Sequence, residues 1–67
     1  MPGMIERGAR GDSVENLQQA LVDAGYDIEV DGVFGEATEA AVVDFQSSNG
    51  LDADGVVGPN TWRALGF

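Results

Sequence analysis

The sequence predicts an all-α domain, a small three-helix bundle with two repeated Asp-Gly loops. Three observations carry this. Apolar residues recur at helical steps of three and four in separate stretches. The segment Asp31-Gly32-Val33-Phe34-Gly35-Glu36-Ala37-Thr38 returns 23 residues later as Asp54-Gly55-Val56-Val57-Gly58-Pro59-Asn60-Thr61, and internal periodicity outranks local propensity. Strand-like alternation is confined to Asp27-Ile28-Glu29-Val30, too brief to make a sheet alone.

The chain is read as one domain over 1–67, with a lead-in over 1–12 and helices over about 13–24, 36–48 and 59–65. The lead-in carries Gly3, Gly8 and Gly11 with Arg7 and Arg10 between, and Ile5 is its apolar anchor. Asp12 or Ser13 offers an N-cap to the first helix, and Glu15 suits the helix dipole. Val14, Leu17, Leu21 and Ala24 form its apolar stripe. Gly25 ends it in a left-handed turn, and Tyr26 folds back on the helix end.

In the second helix the core face is Ala37, Ala40, Ala41 and Phe45, with Thr38 and Val42 beside them. Three alanines there let another helix approach closely. Gly50 stops this helix, and Leu51 re-enters the core. Pro59 opens the third helix, where its missing N–H costs nothing. Trp62, Ala64 and Leu65 complete that helix, and Phe67 either caps the core or frays. Within the repeat, Asp31 is placed to accept backbone N–H groups of its own loop, and Gly32 and Gly35 supply backbone freedom where a side chain would clash. A weaker third copy begins at Gly11, with Val14 and Leu17-Gln18 aligned on Thr38 and Ala41-Val42.

Composition narrows the function classes. Twelve acidic residues face three basic ones, a net charge of −9, and lysine is absent. Nucleic acid is excluded as a partner, because phosphate binding needs a basic surface. Anionic membrane surfaces are disfavoured for the same reason, and no apolar run is long enough to span a bilayer. Met1-Pro2-Gly3-Met4-Ile5 lacks the basic and apolar regions of a secretion signal, so any such signal belongs to a larger parent chain. Cysteine and histidine are absent, which removes thiol chemistry, the commonest metal ligand and the commonest general base.

Two chemistries can be tested on spacing. Asp27-x-Glu29-x-Asp31-Gly32-x-Phe34 follows the opening of a calcium loop, but its twelfth position is Thr38 where a bidentate Glu is required. The second copy has Gly50 at the first position and Thr61 at the twelfth. Metal and cofactor are therefore not expected. Ser13, Ser47 and Ser48 have no histidine to activate them, and a chain this short can hardly build the cleft a carboxylate-pair glycosidase needs. The chain is not expected to be an enzyme.

The stretch Ile5-x-x-Gly8-x-x-Gly11-x-x-Val14-x-x-Leu17-Gln18-x-x-Leu21-x-x-x-Gly25-Tyr26 resembles the opening of the peptidoglycan-binding domains of bacterial cell-wall hydrolases. The resemblance continues through Asp31-Gly32-x-Phe34-Gly35-x-x-Thr38-x-x-Ala41-Val42-x-x-Phe45-Gln46. It closes with Gly50-Leu51-x-x-Asp54-Gly55-x-x-Gly58-Pro59-x-Thr61-Trp62-x-x-Leu65. It implies a non-catalytic module, cell-wall associated outside the cell or in the periplasm. Such a module binds peptidoglycan glycan or stem peptide and targets a catalytic hydrolase domain in a parent chain. It is expected to act as a monomer. Two other readings are a protein–protein adaptor on the same fold and a calcium-binding loop protein. Most matching residues are turn or core positions, and Trp62 is open to two readings, core, which a domain this small favours, or a platform for sugar. Tyr26, Phe34, Gln46, Asn49 and Arg63 are left as candidates for a surface groove, offering aromatic faces, amides and one cation for a stem-peptide carboxylate.

Overall fold

Glycine sets both ends of every helix in the computed structural model, which describes residues 3–67; the readings that touch Met1 and Pro2 lie outside it. Helix α1 spans Asp12–Asp23, α2 Glu36–Ser48 and α3 Pro59–Ala64. Gly11, Gly35 and Gly58 are the N-caps, and none of these helices has a side-chain cap. This corrects the expected Asp12 or Ser13 cap: Asp12 already lies inside α1, and the Gly11 carbonyl accepts from the N–H groups of Val14 and Glu15, each at 3.1 Å. Asp12 and Glu15 in α1, and Glu36 and Glu39 in α2, put negative charge on first turns, where the helix dipole favours it.

All three helices close in the same way. The residue two past the C-cap donates back to the last turn: Tyr26 N–H to the Leu21 carbonyl at 3.0 Å, Leu51 N–H to that of Gln46 at 2.8 Å, and Phe67 N–H to that of Trp62 at 3.1 Å. The glycine before it, Gly25, Gly50 or Gly66, holds φ of 104°, 70° or 101°, the left-handed turn this closure requires.

The core comprises Val14, Leu17, Leu21, Phe34, Ala41, Val42, Phe45, Val57 and Trp62. On α2 the buried face is Thr38, Ala41, Val42, Phe45 and Gln46, whereas Ala37 and Ala40 are exposed, as is Ala24 beyond α1. The expected alanine-lined face is thus rotated on the helix. Thr38 and Gln46 turn inward because each has a hydrogen-bond partner there, and a small apolar residue gains little by displacing them. Trp62 is fully buried, with its indole N–H donated to the Gly3 carbonyl at 3.1 Å. Phe67 meets the Trp62 ring edge-on at 4.9 Å and covers it.

The lead-in laces the two repeated loops together. Ile5 exchanges backbone hydrogen bonds with Val57 at 3.1 and 2.8 Å, while Gly8 and Gly11 donate to Phe34 and Gly32, and Ala9 accepts from Phe34. These contacts make two isolated antiparallel bridges, Ile5 with Val57 and Arg10 with Val33. Among the described residues there is no strand longer than these, and the domain is all-α.

The loop glycines are not equivalent. Gly32 and Gly55 hold φ of 75° and 76°, and a Cβ at either would stand 3.3 Å from the Cγ of Glu15 or Glu39. Gly35 and Gly58 have φ of −108° and −105°, and a Cβ there would meet nothing within 4 Å. The expected clash therefore holds at Gly32 and not at Gly35. Gly32→Val and Gly55→Val should each lower unfolding free energy in urea titrations by more than about 1 kcal/mol. Gly35→Ser and Gly58→Ser should raise it by a few tenths of a kcal/mol, by supplying the missing N-cap oxygen.

Candidate functional site

Each repeated loop is built around a glutamine from the helix before it. Gln18 on α1 is 1% exposed, and its amide nitrogen donates to Asp31 Oδ1 at 2.9 Å, the Val33 carbonyl at 3.0 Å and Thr38 Oγ1 at 3.0 Å. Its amide oxygen accepts from the backbone N–H groups of Asp31 and Gly32 at 3.0 and 2.8 Å. Gln46 on α2 does the same one unit later. It donates to Asp54 Oδ1 at 3.2 Å, the Val56 carbonyl at 2.9 Å and Thr61 Oγ1 at 3.1 Å, and accepts from Gly55 N–H at 3.0 Å. In each loop the aspartate also accepts from the backbone N–H two residues on, Val33 or Val56, at 3.0 Å. These are Asx turns, as the sequence suggested.

Donation by Gln18, then by Val33 N–H, holds the Asp31 carboxyl below the ordinary aspartate range. Asp31 Oδ1 already serves Gln18 and Val33, and among the described residues no cluster of three acidic side chains is arranged to hold a metal ion. The Tyr26 hydroxyl donates to Asp44 at 2.7 Å, and this bond to a carboxylate pushes its pKa up.

A groove lies beside each loop. The first, about 420 Å³, is lined by residues from Asp27 to Thr38. The second, about 340 Å³, is lined chiefly by residues from Gly50 to Thr61, with Met4 and Gln46. Both volumes fall at the small end of the range for small-molecule sites, about 300–1,000 Å³. The first carries Asp27, Glu29, Asp31 and Glu36. The second carries Asp52 and Asp54, with Pro59 and Asn60 at the start of α3.

The five residues expected at a groove are dispersed. Phe34 is 1% exposed and belongs to the core, which corrects its assignment as an accessible aromatic face. Gln46 lines the second groove but is 1% exposed, and its two amide hydrogens already face three acceptors, so it has no free amide to offer. Tyr26 is half-buried and tied to Asp44, immediately before groove residue Asp27. Asn49 is exposed, immediately before groove residue Gly50, with its amide donated to the Phe45 carbonyl at 2.8 Å. Arg63 is exposed on α3, three and four residues after Asn60 and Pro59. Helical side chains at that spacing share a face and lean toward the helix N-terminus.

Gln18 was overlooked as an organising residue. Its signal was present: Leu17-Gln18 and Phe45-Gln46 each pair a core residue with glutamine ahead of an Asp-Gly loop. The 23-residue alignment hid it, because Gln18 lies 13 residues before its aspartate and Gln46 only 8 before its own.

Comparison with known proteins follows the same outline. Residues 10–65 match the family described as "Putative peptidoglycan binding domain". The chain is 41% identical over 66 residues to a zinc D-Ala-D-Ala carboxypeptidase of Streptomyces albus G, covering 94% of this chain and 26% of that protein. It is 45% identical over 64 residues to a spore cortex-lytic enzyme of Bacillus subtilis, covering 92% and 21% respectively. Among solved structures, the SleB N-terminal domain superposes with a TM-score of 0.92 at 42% identity, covering 97% of this chain and 90% of that one. A Burkholderia AP3 phage endolysin gives 0.93 at 42%, covering 96% and 25%. The chain thus spans about a quarter or less of the length of these two curated relatives.

The glutamine clamp makes a checkable claim. Gln18→Leu and Gln46→Leu should each cost several kcal/mol in denaturant titrations, because buried partners lose their hydrogen bonds at about 1–3 kcal/mol each. The Asp31 contribution has a defined pH window. A lowered folded pKa stabilises above the unfolded value, and that stability is lost as pH falls through the folded value. Asp31→Asn should therefore flatten the decline of melting temperature that begins at the ordinary aspartate pKa and runs below it.

Proposed function

The chain belongs to the peptidoglycan-binding domain family, and on that premise we propose that it targets a cell-wall hydrolase to peptidoglycan without taking part in the chemistry. The observation that carries this is the coincidence of family and geometry: a 67-residue chain whose polar interior is committed to its own loops, with a small groove of mixed polar and apolar lining beside each repeated loop. Relatives described as a carboxypeptidase, an amidase and spore cortex-lytic enzymes are several times longer than the matched segment. The remainder of such a chain supplies the catalysis, and this module supplies residence on the wall, placing the protein in the periplasm or outside the cell.

Arg63, Asn49 and Tyr26 are the accessible remainder of the groove residues expected from sequence, and Arg63 is the most informative. It stands one helical turn from Pro59 and Asn60, both of which line the second groove. Among the described residues it makes no ion pair. A guanidinium in that position can take the carboxylate of a stem peptide in a two-pronged hydrogen bond. Asn49 and Tyr26 flank the grooves through their backbone neighbours.

Sedimentation with purified insoluble peptidoglycan tests the reading directly. The wild-type chain should co-sediment equally with calcium and with chelator. Arg63→Ala should melt close to wild type, since an exposed charge contributes about 0–1 kcal/mol. It should bind the wall severalfold more weakly, and the deficit should shrink as salt screens the lost charge. Wild-type protein that stays in the supernatant would overturn the wall-binding reading.

A further inference from the structure

A glycine leaves its own amide nitrogen open to close approach, because it has no side chain to crowd it. An asparagine or aspartate just before it can be attacked at Cγ by that nitrogen, closing a five-membered succinimide. The chain has three such pairs: Asp31-Gly32, Asn49-Gly50 and Asp54-Gly55. The other asparagines, Asn16 and Asn60, lie within helices and precede Leu17 and Thr61, whose side chains obstruct the same approach.

The glutamine clamp locks two of the three pairs. Gly32 and Gly55 are buried, and their N–H groups donate to Gln18 Oε1 at 2.8 Å and to Gln46 Oε1 at 3.0 Å. The carbon that each nitrogen would attack is held as well, through the bonds made by Asp31 Oδ1 and Asp54 Oδ1. Neither pair can close a ring unless the clamp opens, and a carboxylate is a poorer electrophile than an amide.

Asn49-Gly50 lies outside the clamp. Both residues are exposed, at the C-terminal end of α2, and Gly50 lines the second groove. The Gly50 N–H reaches only the Ser47 carbonyl, at 3.3 Å, and the Asn49 amide is held by a single bond to the Phe45 carbonyl. Both bonds belong to the last turn of the helix. Fraying termini open at the least cost in free energy, and opening here frees the nitrogen and the amide together.

We propose that Asn49 is a modification site, the position at which this chain deamidates while folded. The Gly50 nitrogen loses its proton and bonds to Asn49 Cγ. The bond from Cγ to the amide nitrogen breaks, and ammonia leaves with that proton. Water then opens the succinimide at either carbonyl, giving aspartate or isoaspartate. Water is the only co-reactant. Either product carries a new negative charge at a helix C-terminus, where the dipole disfavours it. Aspartate also sets carboxylate oxygens against the Phe45 carbonyl to which the amide had donated. Isoaspartate instead routes the main chain through Cβ, just ahead of the Leu51 N–H that closes α2 on the Gln46 carbonyl. Modification thereby loosens the end of α2 and the adjoining edge of the second groove. None of this depends on the wall-binding reading.

Ageing the folded chain in mildly alkaline buffer, beside a control in urea, tests the proposal by anion exchange and peptide mapping. The folded chain should gain a more acidic form, mapped to Asn49 as a pair of aspartyl and isoaspartyl peptides. The peptides holding Asp31-Gly32 and Asp54-Gly55 should stay single in the folded chain and split, at unchanged mass, in urea. Asn49→Gln should remain one charge form, since its ring would be six-membered and slower to close. Asn49→Asp should melt about 4–8 °C below wild type, the shift a small domain shows for one lost interaction of this kind. Asn49 that stays intact in the folded chain after the urea control has converted would overturn the proposal. So would splitting at either Asp-Gly pair ahead of Asn49 in the folded chain.

Discussion

A buried primary amide is the interaction on which this domain depends. Gln18 and Gln46 each reach from one helix into the loop that follows and on to the threonine of the next helix. One side chain thereby fixes three consecutive elements. An amide taken out of water is costly unless its donors and acceptor are met, and here both ends are met. No buried polar side-chain atom among the described residues is left without a partner. The apolar core of such a small chain can supply only a modest margin of stability. The clamps add specificity to that margin: a loop that slipped by one residue would leave both the amide and the loop N–H groups unpaired.

The acidic surface acts in the opposite direction. A charge of −9 on a body with a radius of gyration of 10.1 Å repels itself, and screening by salt relieves the repulsion. The three arginines are distributed so that they offset little of it. Arg7 makes an exposed 3.4 Å pair with Glu39, Arg10 lies in the lead-in, and Arg63 stands alone on α3. The excess negative charge is concentrated where the first loop meets α2, at Asp27, Glu29, Asp31 and Glu36. Of these, Asp31 has its carboxylate engaged by the fold through hydrogen bonds, and Glu36 lies in the first turn of α2, where the helix dipole favours its charge.

Periodic signals were legible and cooperative polar ones were not. The helices, the glycine stops at Gly25 and Gly50, the Asx turns at Asp31 and Asp54 and the buried Trp62 all follow from local rules, because each is decided within a few residues of chain. The N-caps were misread because Asp12 and Ser13 look like caps by residue type, while Gly11 is fixed by its long-range hydrogen bond to Gly32. The buried face of α2 was misplaced because alanine is apolar by composition, whereas Thr38 and Gln46 are interior by partnership. Phe34 was placed on the surface because the segment around it reads as a turn. In the structure the lead-in pairs with that turn on one side and drives the ring into the core. Each error is of one kind: a residue whose position is set by partners eight or more positions away cannot be placed by its immediate neighbours alone.

The comparison of the two units separates what the fold requires from what it leaves open. Asp, Gly, Val, Gly and Thr recur at the same offsets; the aspartate, first glycine and threonine belong to the clamp, and the second glycine opens a helix. The positions that differ, Asp27 and Gly50, Glu36 and Pro59, Ala37 and Asn60, are exposed on the groove rims. The first connection is also longer: 13 residues separate Gln18 from Asp31, against 8 between Gln46 and Asp54. The added length comes partly from α1, which runs five residues beyond Gln18, whereas α2 runs two beyond Gln46. It shifts the glycine that ends the helix away from the groove, so that Asp27 occupies the place Gly50 takes in the second unit. A clamp that tolerates either length leaves the rim free to vary without loss of the loop. Two grooves lined by corresponding positions on one scaffold can then differ in charge.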